Sequence, residues 1–289
     1  VCSSDLELRP FWPFSLYKVL SYIKLNKQMY KGVFFQPPYI LNASKKCGVL
    51  STNPWWVGNG ISDVVCVDSK HTAKKYTSHG VKADKVTVVG HVSYDNVFFS
   101  YDNKTSIRQS LFEKYSLQAE KKIIILSMPQ YAEQGYISWE KHWDEINSMM
   151  KEVSSSNHNL LVSVHPRSDI SEYLFVQDKY NCRIIDEPLC DIIGALDLFL
   201  ASNSTTFSWA ALCGVPSIAL MSPVPFLYGH LKSIYSVDSN SNLVPLINSI
   251  LNSSEISFEK DWELLSRDEV FGGGFNKRFV KLLHATCSA

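Results

Sequence analysis

A chain of 289 residues with 45% hydrophobic and 19% charged residues has the make-up of a globular protein, with room for two ordinary domains or one large one. Lys plus Arg and Asp plus Glu number 28 each, and the zero formal charge argues against a nucleic-acid binder driven by phosphate neutralisation and against a polybasic membrane anchor. No apolar run approaches the roughly 20 residues that span a bilayer.

The first hundred residues are rich in aromatics and proline (PFWPF, QPPYI, NPWW) and read as irregular as far as Ile61. ISDVVCVDS then carries the VVCV run of a buried strand, KHTAKKYTSHGV reads as a short helix ended by Gly80, and KVTVVG is a second strand closed by Gly90. Strand, helix and strand in that order predict a parallel pair, which needs a crossover connection. From Ser106 the pattern is regular. IRQSLFEKYSL is an amphipathic helix or lead-in, KKIIILSM a buried strand, and ISWEKHWDEINSMMKEV a helix. NLLVSV, CRII, DLFLA and PSIALM are strands, separated by helical SEYLFVQDKY, LCDIIGAL and TTFSWAALC. LVPLINSILN and FNKRFVKLLHA are later helices, the last following Gly272-Gly273-Gly274. Strands that are nearly continuous apolar runs, alternating with helices, predict an α/β fold with a doubly wound parallel sheet covered on both faces. The expected division is 1–103 for a first, Rossmann-like domain and 104–289 for a second. The chain opens on Val1, and the expectation is that strands of the first domain are missing from it.

Ligands of such sheets bind outside the carboxyl ends of the strands, where helix N-termini offer free N–H groups and a positive dipole end. Four loops of this chain fall there. After DLFLA come Ser204, Thr205 and Thr206, which either cradle a phosphate or cap the helix that follows. After VSV come His165, Pro166 and Arg167, an anion-contacting pair or a surface turn. After IIILS come Gln130, Glu133 and Gln134, facing a substrate or solvent, and after CRII come Glu187, Pro188 and Leu189, framing a flat base or turning the chain. Asp95, with His91 nearby in GHVSYD, either serves as a general base or caps a helix beginning NVFF. Trp55 and Trp56, beside Asn53 and Pro54, are candidates for sugar contact. Histidines 71, 79, 142, 158, 230 and 284 show no metal-ligand spacing, no acidic pair resembles a metal-holding Asp-x-Asp, and no metal or cofactor is expected. Seven scattered cysteines without a C-x-x-C pair point away from a disulfide framework and toward a reducing cytoplasm.

In this order, GHVSYD, QYAEQ, HPR, EPL and SNSTTFSWAALCGVP resemble the carboxyl-terminal half of the UDP-N-acetylglucosamine 2-epimerases, and also glycosyltransferases that share their two-domain GT-B fold. The likeness covers roughly Ile61 to Leu220. It implies two Rossmann-like domains, phosphate held by Ser204 and Thr205, a base framed by Glu187 to Leu189, and His165 near the site. Where the epimerases carry His-Arg-x-Glu-Asn this chain has Gln130-Tyr131-Ala132-Glu133-Gln134, and where they carry Gln-Glu-Glu-Ala it has Ser208-Trp209-Ala210-Ala211. Gln cannot transfer a proton, as epimerisation requires. His-Pro followed by a Ser/Thr cluster is also similar to bacterial sialyltransferase-like enzymes, whose donor is a CMP-sugar. The expectation is therefore a metal-independent glycosyltransferase that takes a UDP- or CMP-sugar donor and a glycan or lipid-linked acceptor in surface-glycan assembly. It is expected to be cytoplasmic, at most peripheral to a membrane. Asp95, Glu133 and His165 are its candidate catalytic residues. Gln130, Arg167, Glu187, Leu189, Ser204, Thr205 and Thr206 are its candidate binding residues. The alternatives are a UDP-N-acetylglucosamine 2-epimerase and a non-catalytic relative that binds nucleotide or glycan.

Overall fold

The computed structural model describes residues 29–30, 33–34, 36, 38–51, 53, 56, 58–223, 226–237 and 243–287. The chain divides into two compact units, one of residues up to Cys66 with Thr72–Thr87, the other of Val67–His71 with Val88–Ala289. In the first, β1 (Met29–Tyr30) pairs antiparallel with β2 (Val33–Phe34), and α1 spans Pro38–Lys46. This stretch was expected to be irregular. Pro38 explains the difference, because at the first helical position its missing N–H and fixed φ start a helix instead of breaking one. β3 (Val65–Val67), α2 (Lys70–Ser78) and β4 (Val86–Val88) follow in the expected order, and the two strands form a two-stranded sheet.

The second unit holds α3 (Tyr94–Asp102), on the amino-terminal side of the expected division at 103, and α4 (Lys104–Tyr115). Then come β5 (Ile123–Ser127), α5 (Trp139–Ser154), β6 (Asn159–Ser163), α6 (Phe175–Tyr180), β7 (Arg183–Ile184), α7 (Leu189–Ile192) and β8 (Leu198–Ala201). α8 (Thr206–Cys213), β9 (Ser217–Ala219), β10 (Ile234–Ser236), α9 (Leu243–Asn252), α10 (Glu259–Leu264), α11 (Arg267–Val270) and α12 (Phe275–Cys287) complete it. Several of these depart from the sequence reading, which foresaw neither α10 nor α11. The helix expected over SEYLFVQDKY begins as a 3₁₀ turn, Ile170–Tyr173, and β10, half-buried at the sheet edge, lacks the apolar run that marks the central strands.

All six strands from β5 to β10 run parallel, in the order β10-β9-β8-β5-β6-β7. In chain order this is 6-5-4-1-2-3, the Rossmann arrangement, and it reverses direction between β5 and β8. The unbroken apolar run of β5 follows from the pleat. Ile123 and Ile125 bury against one face with α3, α4, α7 and α8, while Ile124 and Leu126 bury against the other with α5 and α9. Each such side chain contributes about 1.5–3 kcal/mol by leaving water.

Two glycines fix how elements end. Gly214, at φ 72°, terminates α8 in the left-handed region, and the Trp262 indole N–H and the Arg267 guanidinium donate to the last-turn carbonyls of Ala211 and Leu212, each at 2.8 Å. Gly90, at φ 85°, turns the chain where a Cβ would come within 3.0 Å of Val270. There Arg278 of α12 donates to the carbonyls of Val89, Val270 and Gly273, at 3.1, 3.0 and 2.8 Å. Among the described residues, no helix is long and apolar enough to cross a membrane.

Candidate functional site

A cavity of about 440 Å³ opens at the carboxyl ends of β5, β6 and β8, at the point where the strand order reverses. Ser127 to Tyr131, Gln134 and Tyr136 line it from the loop after β5, His165 from the loop after β6, and Ala201 to Ser204 from the end of β8, with Leu227 at one side. Four residues singled out in the sequence, Gln130, Gln134, His165 and Ser204, therefore share one cavity.

At the start of α8 the hydroxyl trio divides into different surroundings. Ser204 Oγ accepts from the Thr206 amide at 3.2 Å and donates to Thr206 Oγ1 at 2.9 Å, so it caps the helix while lining the cavity. Thr206 is buried, Thr205 is exposed and makes no side-chain cap, and Ser208 donates to the Thr205 carbonyl at 2.8 Å. Ser204 alone of the trio lines the cavity.

His165 accepts at Nδ1 from the Arg167 backbone N–H at 3.1 Å, which leaves Nε2 as the donor nitrogen. Burial lowers its pKa, the Arg167 charge lowers it further, and Glu133 partly opposes them. The imidazole is thus held neutral at pH 7, a hydrogen-bond donor rather than a cation. The Arg167 side chain is exposed and outside the cavity lining.

Glu133 stands behind Gln130 and does not line the cavity. Its Oε1 accepts from Ser168 Oγ at 2.8 Å and from Tyr173 Oη at 2.9 Å, and Ser168 Oγ is bonded to Gln130 Nε2 at 3.1 Å. Tyr173 Oη also meets Nε2 of the fully buried His142 at 3.2 Å. Burial, with the Glu133 hydrogen bond second, pushes the Tyr173 phenol upward, and burial lowers the His142 pKa against the pull of Glu133.

The remaining candidates lie elsewhere. Glu187 is bound by Lys114 at 2.6 Å and by the Tyr115 hydroxyl, both of α4, and Leu189 opens α7 packed on the apolar core. Neither lines the cavity. Both carboxylate oxygens of Asp95 accept from the Phe275 amide, at 3.0 and 3.1 Å, so Asp95 caps α12 and not a helix beginning at Asn96. Trp56, in the first unit, stacks on His79 at 3.9 Å and meets the edge of Tyr76, while Trp55 lies outside the described residues. The sequence reading gave no site role to Tyr136, Asn203, Ser168 or His142. His142 left a signal, since it sits on the buried stripe of α5 with Ile146, Met149, Met150 and Val153. Among the described residues, no group of three or more His, Cys, Asp or Glu side chains is placed to hold a metal ion.

No family model and no curated protein matches the chain. Among solved structures it is similar to the UDP-GlcNAc 2-epimerase of Methanocaldococcus jannaschii in complex with UDP-GlcNAc and UDP, at 17% identity and a TM-score of 0.55, covering 78% of this chain and 62% of that one. The UDP-GlcNAc 2-epimerase of Neisseria meningitidis bound to UDP-GlcNAc matches at 13% and 0.53, covering 77% and 61%. The wall teichoic acid polymerase TagF matches at 13% and 0.51, covering 78% and 57%. The chain thus spans about six-tenths of the length of these structures. At these identities the likeness is one of fold: the chain has the α/β fold of GT-B nucleotide-sugar enzymes.

Proposed function

We propose that this chain carries the nucleotide-sugar domain of a GT-B glycosyltransferase, which moves a sugar from a UDP- or CMP-linked donor to a glycan or lipid-linked acceptor in surface-glycan assembly. One observation carries the reading: the cavity at the sheet's reversal point brings Gln130, His165 and Ser204 together at the start of a helix. In this scheme the nucleotide leaves with negative charge, which the α8 start and the His165 Nε2–H stabilise as it develops. Asp95 is engaged by the Phe275 amide and Glu133 stands outside the cavity lining, so this scheme gives neither a direct part in it. The chemistry runs without a metal, in a reducing cytoplasm. Cys47, Cys66, Cys182, Cys190 and Cys213, all free thiols, suit that setting.

Gln130 favours transfer over epimerisation, because a carboxamide stands where the epimerases carry a proton-transferring histidine. The test is the melting temperature of the full chain against UDP-, CMP- and GDP-sugars, for the wild type and His165→Ala. One donor should raise it in the wild type, and by less in the variant. Equal donor affinity in both would count against the assignment. Incubation with UDP-N-acetylglucosamine in deuterated water, without acceptor, should leave the C2 proton in place; exchange there would make the protein an epimerase.

A further inference from the structure

The hydrogen-bond network behind the cavity has only one consistent direction. A carboxylate accepts and never donates, so the protons on Ser168 Oγ and Tyr173 Oη both point to Glu133 Oε1. With its one proton committed, Tyr173 Oη accepts from His142, which places the His142 proton on Nε2 and leaves buried Nδ1 as a bare acceptor without a partner. By the same logic Ser168 Oγ can only accept from Gln130. The Gln130 side chain must therefore turn its NH₂ group toward Ser168, and the orientation of its amide follows from chemistry.

We infer that Gln130 is a specificity-determining residue that offers its carbonyl oxygen to a sugar hydroxyl, and that Ser168 and Glu133 are positioning residues that keep the amide from flipping. This rests on the nucleotide-sugar reading of the cavity and adds a direction to it. A phosphate carries acceptor oxygens and is repelled by an amide carbonyl, whereas a sugar hydroxyl can donate to it. The cavity thus has a donor pole at the His165 Nε2–H and an acceptor pole at Gln130, with Glu133 as the sink that sets the second pole through two hydrogen bonds.

The experiment compares UDP-N-acetylglucosamine with UDP, and CMP-N-acetylneuraminic acid with CMP, on the full chain by calorimetry. Gln130→Met keeps the shape and removes the acceptor. It should weaken the sugar-nucleotide roughly three- to tenfold and leave the bare nucleotide unchanged. Glu133→Gln lets the new amide donate to Ser168, whose proton can then turn onto Gln130. It should lose the same sugar-dependent part although residue 133 touches no ligand, and Ser168→Ala should do likewise while Ser168→Thr restores it. If all variants bind as the wild type does, the inference is overturned and the nucleotide-sugar reading stands. If the wild type binds none of these compounds, the sugar assignment falls with the reading beneath it. A ligand-free measurement tests the direction itself. The Gln130 side-chain amide protons, identified by their loss in Gln130→Met, should shift and exchange faster in Ser168→Ala; an unchanged amide pair would overturn the inference.

Discussion

Replacing Gly194 by Ala tests whether α3 and the 3₁₀ turn Ile193–Ala195 are pressed together as tightly as the structure places them. An added Cβ would stand 2.6 Å from both the Cα and the N of Tyr101 and 2.7 Å from the carbonyl carbon of Ser100. Non-bonded carbons prefer about 3.5–4.0 Å, so α3 must retreat by about 1 Å, and no side-chain rotation relieves a clash with backbone. Overpacking of this kind costs about 1–3 kcal/mol. The retreat also stretches the buried bond from the Gly194 amide to Ser100 Oγ, now 3.1 Å, worth about 0.5–1.5 kcal/mol. Against this, Ala stiffens the unfolded chain by about 0.4–1 kcal/mol. The net loss is about 2–3 kcal/mol, read as a lower urea midpoint with an unchanged slope and a melting point about 5–10 °C down. Gly272→Ala, where an added Cβ meets nothing within 4 Å, is the control and should stay within about 0.5 kcal/mol of the wild type. A Gly194→Ala protein as stable as that control would refute the close contact.

Three further outcomes follow from named contacts. Asp261 is fully buried and accepts from the amides of Lys232 and Ser233 at 2.7 and 2.8 Å, so Asp261→Asn turns an NH₂ onto one of two N–H donors and should cost about 1–3 kcal/mol by urea unfolding. Ser204→Ala removes the α8 cap and should cost about 0.5–2 kcal/mol, while Thr205→Ala should move the unfolding midpoint by less than about 0.5 kcal/mol. His142 and His165 both have pKa values lowered below the ordinary 6.5, so above that pH they are neutral folded and unfolded alike. As pH falls below 6.5 the unfolded chain takes up protons first, and the stabilisation is lost as pH drops through the folded values. Stability measured from pH 7.5 to 5 should therefore decline, and less steeply in His142→Gln.

The parallel sheet was legible because its central strands bury both faces. A run such as IIIL or LFLA has no solvent side to mark with polar residues, and each such run was found where it was expected. β10 was missed for the converse reason: Ile234 and Tyr235 are only half-buried, and a three-residue edge strand carries no period. The loops after β5, β6 and β8 were placed correctly at the cavity because strand ends fix their positions. Roles within the loops were not legible. Asp95 binds a residue 180 positions later, and Glu187 binds α4 more than seventy positions earlier. Pairings at that distance leave no local pattern, so a carboxylate beside a strand end looks the same whether it meets ligand or backbone.

The same distinction bears on what kind of anion site the proposed function would require. A cavity that trapped a nucleotide by full charges would need cations in its lining, and here the described lining residues contain no Lys or Arg. Arg167 meets water, and its effect on the site passes through its backbone N–H and through the field that helps keep His165 neutral. On the proposed reading the positive pole is therefore built from dipoles: the α8 start and a neutral imidazole N–H. Dipoles fixed by the fold need little reorganisation as charge develops on a departing group, which suits stabilising a leaving nucleotide better than holding a resting one. Such a pole has only short reach, so the ligand's direction in the cavity must be set at the other end, where Gln130 is held by Ser168.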